Sequence, residues 1–330
     1  MSNRSVPVRI WILLGCAVVG VSSAGAIFQH VDDVPPLLRA SWRLQVTALL
    51  LAPFALMQWS ESTNEIRDKL TSKTTLNIIF LSGVFLAAHF GAWVASLDHT
   101  SLTHSLLFVT SHPIIIVGGM YVIHTIYRRI EAPKKGEVIG AFIGCAGAII
   151  TLTSQGAEQG DHTVTLFGDL LAFLGGVFVV GYIVCGKILR SWMPIFLYAF
   201  PVTLLAAILL LPCSFLLESQ SGQFGIFGWL DQEYLPWFLL LASIAGFLGH
   251  TGLNTCLRYV SPLVISVAVT LEPVIGTIIG WMFFDTGFPD LYTIVGGIIL
   301  LFGLMMVIIV QESAPPVETN NEMSDARVIA

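Results

Sequence analysis

Residues 101–126 read SLTHSLLFVTSHPIIIVGGMYVIHTI, and residues 261–284 read SPLVISVAVTLEPVIGTIIGWMFF. Each is apolar enough and long enough to cross a bilayer, which takes about 20 mostly apolar residues. A constant shift of 160 superposes Ser101 on Ser261, Thr110 on Thr270 and Pro113 on Pro273. His112 and Glu272 then occupy one position, each just ahead of a mid-span proline. After a four-residue change in loop length, Ile139-Gly140 and Gly147 match Val295-Gly296 and Gly303. The chain repeats itself.

Outward from these two stretches, the sequence divides into ten apolar segments at about 9–28, 36–59, 74–97, 101–126, 137–154, 165–187, 195–217, 235–257, 261–284 and 291–311. Basic residues fall in every second connection. One side holds Arg4 and Arg9, then Arg67, Lys69 and Lys73, then Arg128, Arg129, Lys134 and Lys135. The same side continues with Lys187 and Arg190, then Arg258, and finally Arg327. The opposite connections, about 29–36, 96–101, 155–164, 218–234 and 285–290, hold none. Positive charge is retained on the cytoplasmic side of a membrane, so the pattern predicts both termini inside. Five segments per half is an odd number, so the second half begins on the face opposite to the first. The fold class expected is an all-α polytopic membrane protein of ten transmembrane helices in two inverted five-helix repeats, 8–154 and 165–311. A disordered cytoplasmic tail would follow at 312–330, where Pro315-Pro316, Asn320-Asn321 and four acids leave few apolar residues. Inverted repeats of this kind characterise secondary transporters, with the substrate site near the midplane where the halves meet.

Composition narrows the function further. The 330 residues are 55% hydrophobic and 11% charged, with a mean hydropathy of +0.83, whereas a soluble domain carries about 25% charged residues. No connection is long enough for a soluble catalytic domain. The net charge of −6 lies mostly in loops and tail acids and names no partner. Cys16, Cys145, Cys185, Cys213 and Cys256 all sit inside apolar stretches and read as small buried residues, not as a disulfide framework or metal site. Ile10 to Phe28 follows two arginines and could mimic a signal peptide, but its removal would break the repeat, so it reads as a retained first span. Gly136, Gly140 and Gly144, and Gly276 and Gly280, lie at helical spacing and read as points where helices pack closely.

Asn254-Thr255-Cys256-Leu257-Arg258-Tyr259-Val260-Ser261-Pro262, followed by Leu271-Glu272-Pro273-Val274-Ile275-Gly276 and Gly280-Trp281, resembles the second repeat of an EamA-type member of the drug/metabolite transporter superfamily. Pro35-Pro36 with Arg43 resembles the second helix of the first repeat. The resemblance spans about residues 8–311 and implies a ten-helix transporter with internal termini and alternating access. One departure stands out. The family often ends helices four and nine with Gly-Glu, where this chain has Arg128-Arg129-Ile130-Glu131 and Phe284-Asp285-Thr286-Gly287.

Polar residues inside apolar spans are the candidates for transport, since they turn toward the bundle interior or a water-filled cavity. Arg39 and Arg43 stand one turn apart on one face of the second span, about 5 and 10 Å inside Pro36 at 1.5 Å per residue. Arg39 can snorkel to the interface, pair with Asp32 or Asp33, or join the site. Arg43 is deep enough to need a partner or water, and the matching second-repeat position near Pro201 carries no charge. Glu272 reads as a proton-coupling carboxylate or a ligand for a cationic group, or else as a structural ion pair. His112 is its repeat-equivalent. His89 and Trp93 share a face of the third span, His250 and Asn254 a face of the eighth. The candidate substrate-binding set is therefore Arg43, His89, Trp93, His112, His250, Asn254, Glu272 and Arg39. Asp98, His99 and His104 lie together near a turn, but nothing fixes them as a metal site, and none is expected.

No ATP-binding loop, hydrolase motif or nucleic-acid patch is present. The reading is a secondary active transporter in the cell (plasma or inner) membrane, not an enzyme, with no cofactor. Its partners would be a small-molecule substrate and the lipid bilayer, with a homodimer one possible arrangement and no nucleic acid. An amino acid or related zwitterion satisfies both Arg43 and Glu272 and is the favoured cargo. The alternatives are an organellar sugar-phosphate or nucleotide-sugar exchanger and, from other classes, an intramembrane enzyme or a channel or scaffold.

Overall fold

The computed structural model describes residues 6–127, 132–154, 158–159, 162–256, 259–260, 265 and 268–312. Helices α1 (Val8–Ser22) and α2 (Ala24–His30) are followed by α3 (Pro36–Glu61), α4 (Asn64–Thr71) and α5 (Lys73–Leu97). Helices α6 (Leu102–Val109), α7 (His112–Tyr127) and α8 (Lys135–Thr151) complete the first half. The second half opens with α9 (Leu166–Arg190), α10 (Ile195–Leu217) and the short α11 (Ser221–Phe224). It continues through α12 (Leu235–Leu240), a π-helical stretch Leu241–Thr251, α13 (Gly252–Cys256), α14 (Glu272–Phe283) and α15 (Leu291–Glu312). The only strands among the described residues are a two-residue antiparallel pair, Glu158–Gln159 with His162–Thr163, between the halves.

Among the described residues seven helical segments are long and apolar enough to cross a membrane, Glu272–Phe283 and Leu291–Val307 being shorter apolar helices. Hydroxyl side chains set several starts by accepting from a free first-turn N–H. Ser72 caps α5 through Thr75 (3.3 Å), Ser101 caps α6 through His104 (3.3 Å) and Thr165 caps α9 through Gly168 (3.1 Å). Large apolar side chains cover the outside, among them Leu56, Phe142, Leu216 and Phe283 at about 70–83% exposure. Such a continuous apolar surface suits lipid and not water. Cys16, Cys145 and Cys213 face outward with it, and Cys185 and Cys256 are buried. The sequence expectation that all five are buried is thus corrected, because in a membrane an apolar position need not be an interior one.

Equivalent helices of the two halves pack against each other in opposite directions. Along α3 and α10, Leu37 N–H reaches Glu218 Oε1 (2.6 Å), Ser41 Oγ reaches the Ala207 carbonyl (2.9 Å) and Phe196 N–H reaches Gln58 Oε1 (2.9 Å). Residue numbers rise on one helix as they fall on the other. Helices α8 and α15 behave alike: a Cβ on Gly140 would strike Gly303 O and Val307 N, and one on Gly147 would strike Gly296 O and the Leu300 backbone. These are the glycines the repeat aligns, and exchanging the halves turns the first contact into the second. The glycines therefore serve close backbone packing. Gly276 does the same for α14, where a Cβ would stand 2.9 Å from Ser22 O.

Arg4, Arg128, Arg129, Arg258, Arg327, Ser261 and Pro262 lie outside the described residues, as does the tail expected from 312 apart from Glu312, which ends α15.

Candidate functional site

Two helices expected to be continuous break where the mid-span prolines stand. Helix α6 stops at Val109 and α7 starts at His112, and α14 starts at Glu272. Proline lacks an N–H and fits most easily in a first helical turn, and at Pro113 and Pro273 the helix restarts, whereas Pro53, Pro201 and Pro212 sit inside α3 and α10. Thr110 Oγ1 and Ser111 Oγ fold back onto the carbonyls of Leu106 (2.8 Å) and Leu107 (2.9 Å). His112 and Glu272 thus occupy matching places at the N-termini of two half-helices. The π-helical stretch is a third irregularity. Its wider turn is of a kind often found at functional sites, and it carries His250 one turn before Asn254.

These irregular segments surround a cavity of about 120 Å³, walled in part by His89, Trp93, His112, His250, Asn254 and Glu272. Thr110, Tyr182 and a set of aliphatic side chains complete the wall. A second cavity of about 20 Å³ adjoins it, walled by Arg43, Thr47, Phe90 and Thr203 among others, and sharing Tyr182, His250 and Asn254 with the first. Six of the eight sequence candidates meet in the larger cavity, and Arg43 looks into the smaller. Arg39 lines neither.

Arg43 is 1% exposed. Its guanidinium carbon lies 4.3 Å from the Phe90 ring centroid and 5.7 Å from that of Phe28, within the reach of cation–π attraction. Its Nε and Nη1 have no hydrogen-bond acceptor among the described residues. Arg43 and Glu272 act on one another electrostatically, yet the ion pairs formed among the described residues are Arg39–Asp98 and His104–Asp169. A buried charge normally needs a partner.

His89 Nδ1 stands 2.9 Å from the Gly175 carbonyl oxygen. A carbonyl only accepts, so Nδ1 carries the hydrogen and Nε2 of the neutral ring is left as an acceptor. Gly175 permits this approach, since a Cβ there would press on Trp93 at 3.2 Å. The His89 ring stacks parallel to Trp93, centroids 6.1 Å apart and planes 9° apart. Asn254 Nδ2 donates to the His250 carbonyl (2.9 Å) and to Tyr182 Oη (3.1 Å). Tyr182 stacks on Tyr198 at 6.2 Å, and the Tyr198 hydroxyl pairs with Ser82 Oγ at 2.9 Å. Tyr182 escaped the sequence reading. The available signal was a phenol inside the apolar α9, which needs a polar partner when buried.

Arg39 is fully buried and paired differently from either pairing the sequence suggested, with Nε left without an acceptor among the described residues. Nη1 donates to the Phe28 carbonyl (2.6 Å), and Nη2 pairs with Asp98. Asp98 closes the end of α5 and so meets α3 directly, while Asp33 accepts from the Tyr234 hydroxyl. The Asp98, His99 and His104 group disperses: the His99 ring packs on Phe167 (5.1 Å), and His104 Nδ1 lies 3.1 Å from both Asp169 carboxylate oxygens. His104 Nε2 reaches Thr293 Oγ1 at 2.9 Å, and Thr100 Oγ1 donates to Asp169 at 2.8 Å. No three His, Cys, Asp or Glu side chains among the described residues are grouped to hold a metal.

A model of the EamA-like transporter family matches residues 8–153 and again residues 166–309. The uncharacterized transporter YyaM of Bacillus subtilis (strain 168) is 22% identical over 300 residues, covering 89% of this chain and 91% of that protein. A solved crystal structure shares the fold at a TM-score of 0.59 and 16% identity, over 93% of this chain and 99% of that one.

Proposed function

The chain belongs to the EamA-like transporter family and is a multi-pass membrane transporter, and on that premise we propose that it moves a small polar metabolite by alternating access between two inverted five-helix halves. In this reading it crosses the cell membrane ten times with both termini in the cytoplasm. The alternation of basic and base-free connections supports the orientation. The antiparallel packing of α3 on α10 and of α8 on α15 supports the inversion. Cargo would occupy the paired cavities, where the half-helix termini of α7 and α14 meet the π-helical stretch. Broken helices around a midplane site are a recurring transporter design.

The observation that carries the reading is Arg43. A guanidinium buried between the halves without protein acceptors is a standing requirement for an external one. Glu272 faces the adjoining cavity and can take up a proton or a cationic group, so a zwitterion such as an amino acid answers both charges. The exchanger alternative would ask for further cavity cations to hold a phosphate, and the two cavities have Arg43 alone among described Lys and Arg side chains.

Links between the halves are more numerous at the end without basic connections, Asp33 with Tyr234, Leu37 with Glu218, and His104 and Thr100 with Asp169, than at the other, which has Gln58 with Phe196 and Lys69 over the Trp192 ring. In the proposed orientation the end without basic connections is the outer side, and its closure suits a cargo site that faces inward. Uptake of labelled amino acids into proteoliposomes tests the reading. A proton gradient should drive accumulation by the wild type, Glu272→Gln should lose gradient-driven uptake yet keep exchange, and Arg43→Ala should lose both. Gradient-driven uptake that survives Glu272→Gln would remove the coupling role, and full activity of Arg43→Ala would remove the site.

A further inference from the structure

The two cavities differ in size and lining, and the difference speaks to cargo chemistry. A site needs roughly 10–15 Å³ of such space to hold one water, so the 20 Å³ beside Arg43 takes at most two groups of that size. Its walls add the Thr203 hydroxyl, the Thr47 hydroxyl oxygen, whose hydrogen goes to the Arg43 carbonyl (2.8 Å), and the ring of Phe90. Val21, Val109, Val179, Ile183, Leu253 and Val269 make an aliphatic part of the larger cavity's wall, beside the polar His89, His112 and Glu272. The wall common to both is Tyr182, His250 and Asn254.

Tyr182 is held in that wall from two directions. Asn254 Nδ2 donates to its hydroxyl at 3.1 Å, and its ring lies along Tyr198, which is itself tied to Ser82 at 2.9 Å. Four helical segments thus fix one side chain between the chambers. A partition so tethered keeps the Arg43 chamber small.

We propose that the cargo is a monocarboxylate with an apolar body: the Arg43 slot takes the planar carboxylate, Tyr182 limits that slot to two oxygens, and the aliphatic part of the larger chamber takes the body. This rests on the proposed cargo site and narrows it. A planar carboxylate presents two oxygens to a guanidinium fork, and Nε and Nη1 of Arg43, each of which forms a fork edge with Nη2, have no acceptor among the described residues. A tetrahedral phosphonate or phosphate brings a third oxygen and more bulk, for which the slot has no room. Tyr182 acts as a positioning residue, setting selectivity by geometry and not by charge.

The test is binding to the purified full-length protein, by thermal shift and by displacement, of L-leucine, L-valine, L-phenylalanine and 4-methylpentanoate. Each amino acid is compared with its aminophosphonic acid of the same carbon skeleton, and L-aspartate serves as the polar-bodied control. In the wild type at least one apolar carboxylate should bind, and its phosphonate counterpart and aspartate should bind at least about tenfold more weakly, the usual scale of a steric or unpaired-group mismatch. Tyr182→Ala should admit the phosphonate and close that gap, and Tyr182→Phe, which keeps the ring and loses the Asn254 tie, should narrow it. Phosphonate binding equal to carboxylate in the wild type, with both lost in Arg43→Ala, would overturn the slot while leaving the cargo site standing. Carboxylate binding unchanged in Arg43→Ala, or no binding by any of the panel, would overturn both. The wild-type comparison stands even if a Tyr182 variant does not fold.

Discussion

Arg39 and Arg43 are the same residue type one turn apart on one face of one helix, and both are buried. Their surroundings divide them. Arg39 meets a carboxylate and a backbone carbonyl, whereas Arg43 meets two aromatic faces and a cavity. The first is answered within the protein and the second is not. A charge that the fold satisfies belongs to stability, and one that it leaves unsatisfied belongs to whatever comes in.

Removing Arg39 should therefore produce the largest loss of stability. Breaking a buried ion pair by deleting one partner costs about 3–5 kcal/mol, so Arg39→Ala should unfold in detergent at much lower denaturant than wild type. The double change Arg39→Met with Asp98→Leu should recover most of that, because an apolar pair strands no charge. If Arg39→Ala kept wild-type stability and lost only cargo binding, the division between the two arginines would collapse.

Arg43→Ala should show the opposite profile. With no acceptor in the protein to strand, its unfolding midpoint should stay near that of wild type, while cargo affinity falls by the worth of a charged hydrogen bond, about 1.5–3 kcal/mol or roughly 10- to 150-fold. Equilibrium binding and unfolding measured on the same preparation separate the two effects.

The smallest effect belongs to a link between the halves just ahead of α3. Tyr234 donates to Asp33 across the halves, and burial first, then the Asp33 carboxylate, raises its phenol above the ordinary range. A raised acid contributes stability that is present below the unfolded value of about 10 and lost as pH rises toward the folded value. Tyr234→Phe should cost about 1 kcal/mol at neutral pH and flatten the decline in stability above pH ~10. An unchanged alkaline decline would show that another group causes it.

Much of this was legible in the sequence for a physical reason. Lipid forbids unpaired polar groups, so every polar side chain in an apolar span had to point inward. His89, Trp93, His112, His250, Asn254 and Glu272 were all found that way and do share one cavity. The glycines marked close helix packing, though not that α8 would meet α15. What the sequence hid was pairing. Nothing local says that Asp98, at the end of α5, would reach Arg39 ahead of Asp32 or Asp33. Tyr182 was hidden because its importance lies in standing between two chambers, held there by side chains of α5, α10 and α13. The π-helical turn left no mark, since it depends on tertiary packing of Gly246 and Gly249 against Thr47 and Val21.

The claim underlying all of this is that Arg43 awaits an acceptor from outside the fold. The most direct measurement is the melting temperature of wild type, Arg43→Ala and the Arg39→Met/Asp98→Leu protein, each with and without the carboxylate panel. A ligand specific to the folded form raises the melting temperature, so the account predicts stabilisation of wild type and of the Arg39→Met/Asp98→Leu protein, and none of Arg43→Ala. Equal stabilisation of Arg43→Ala by the same carboxylate would contradict it.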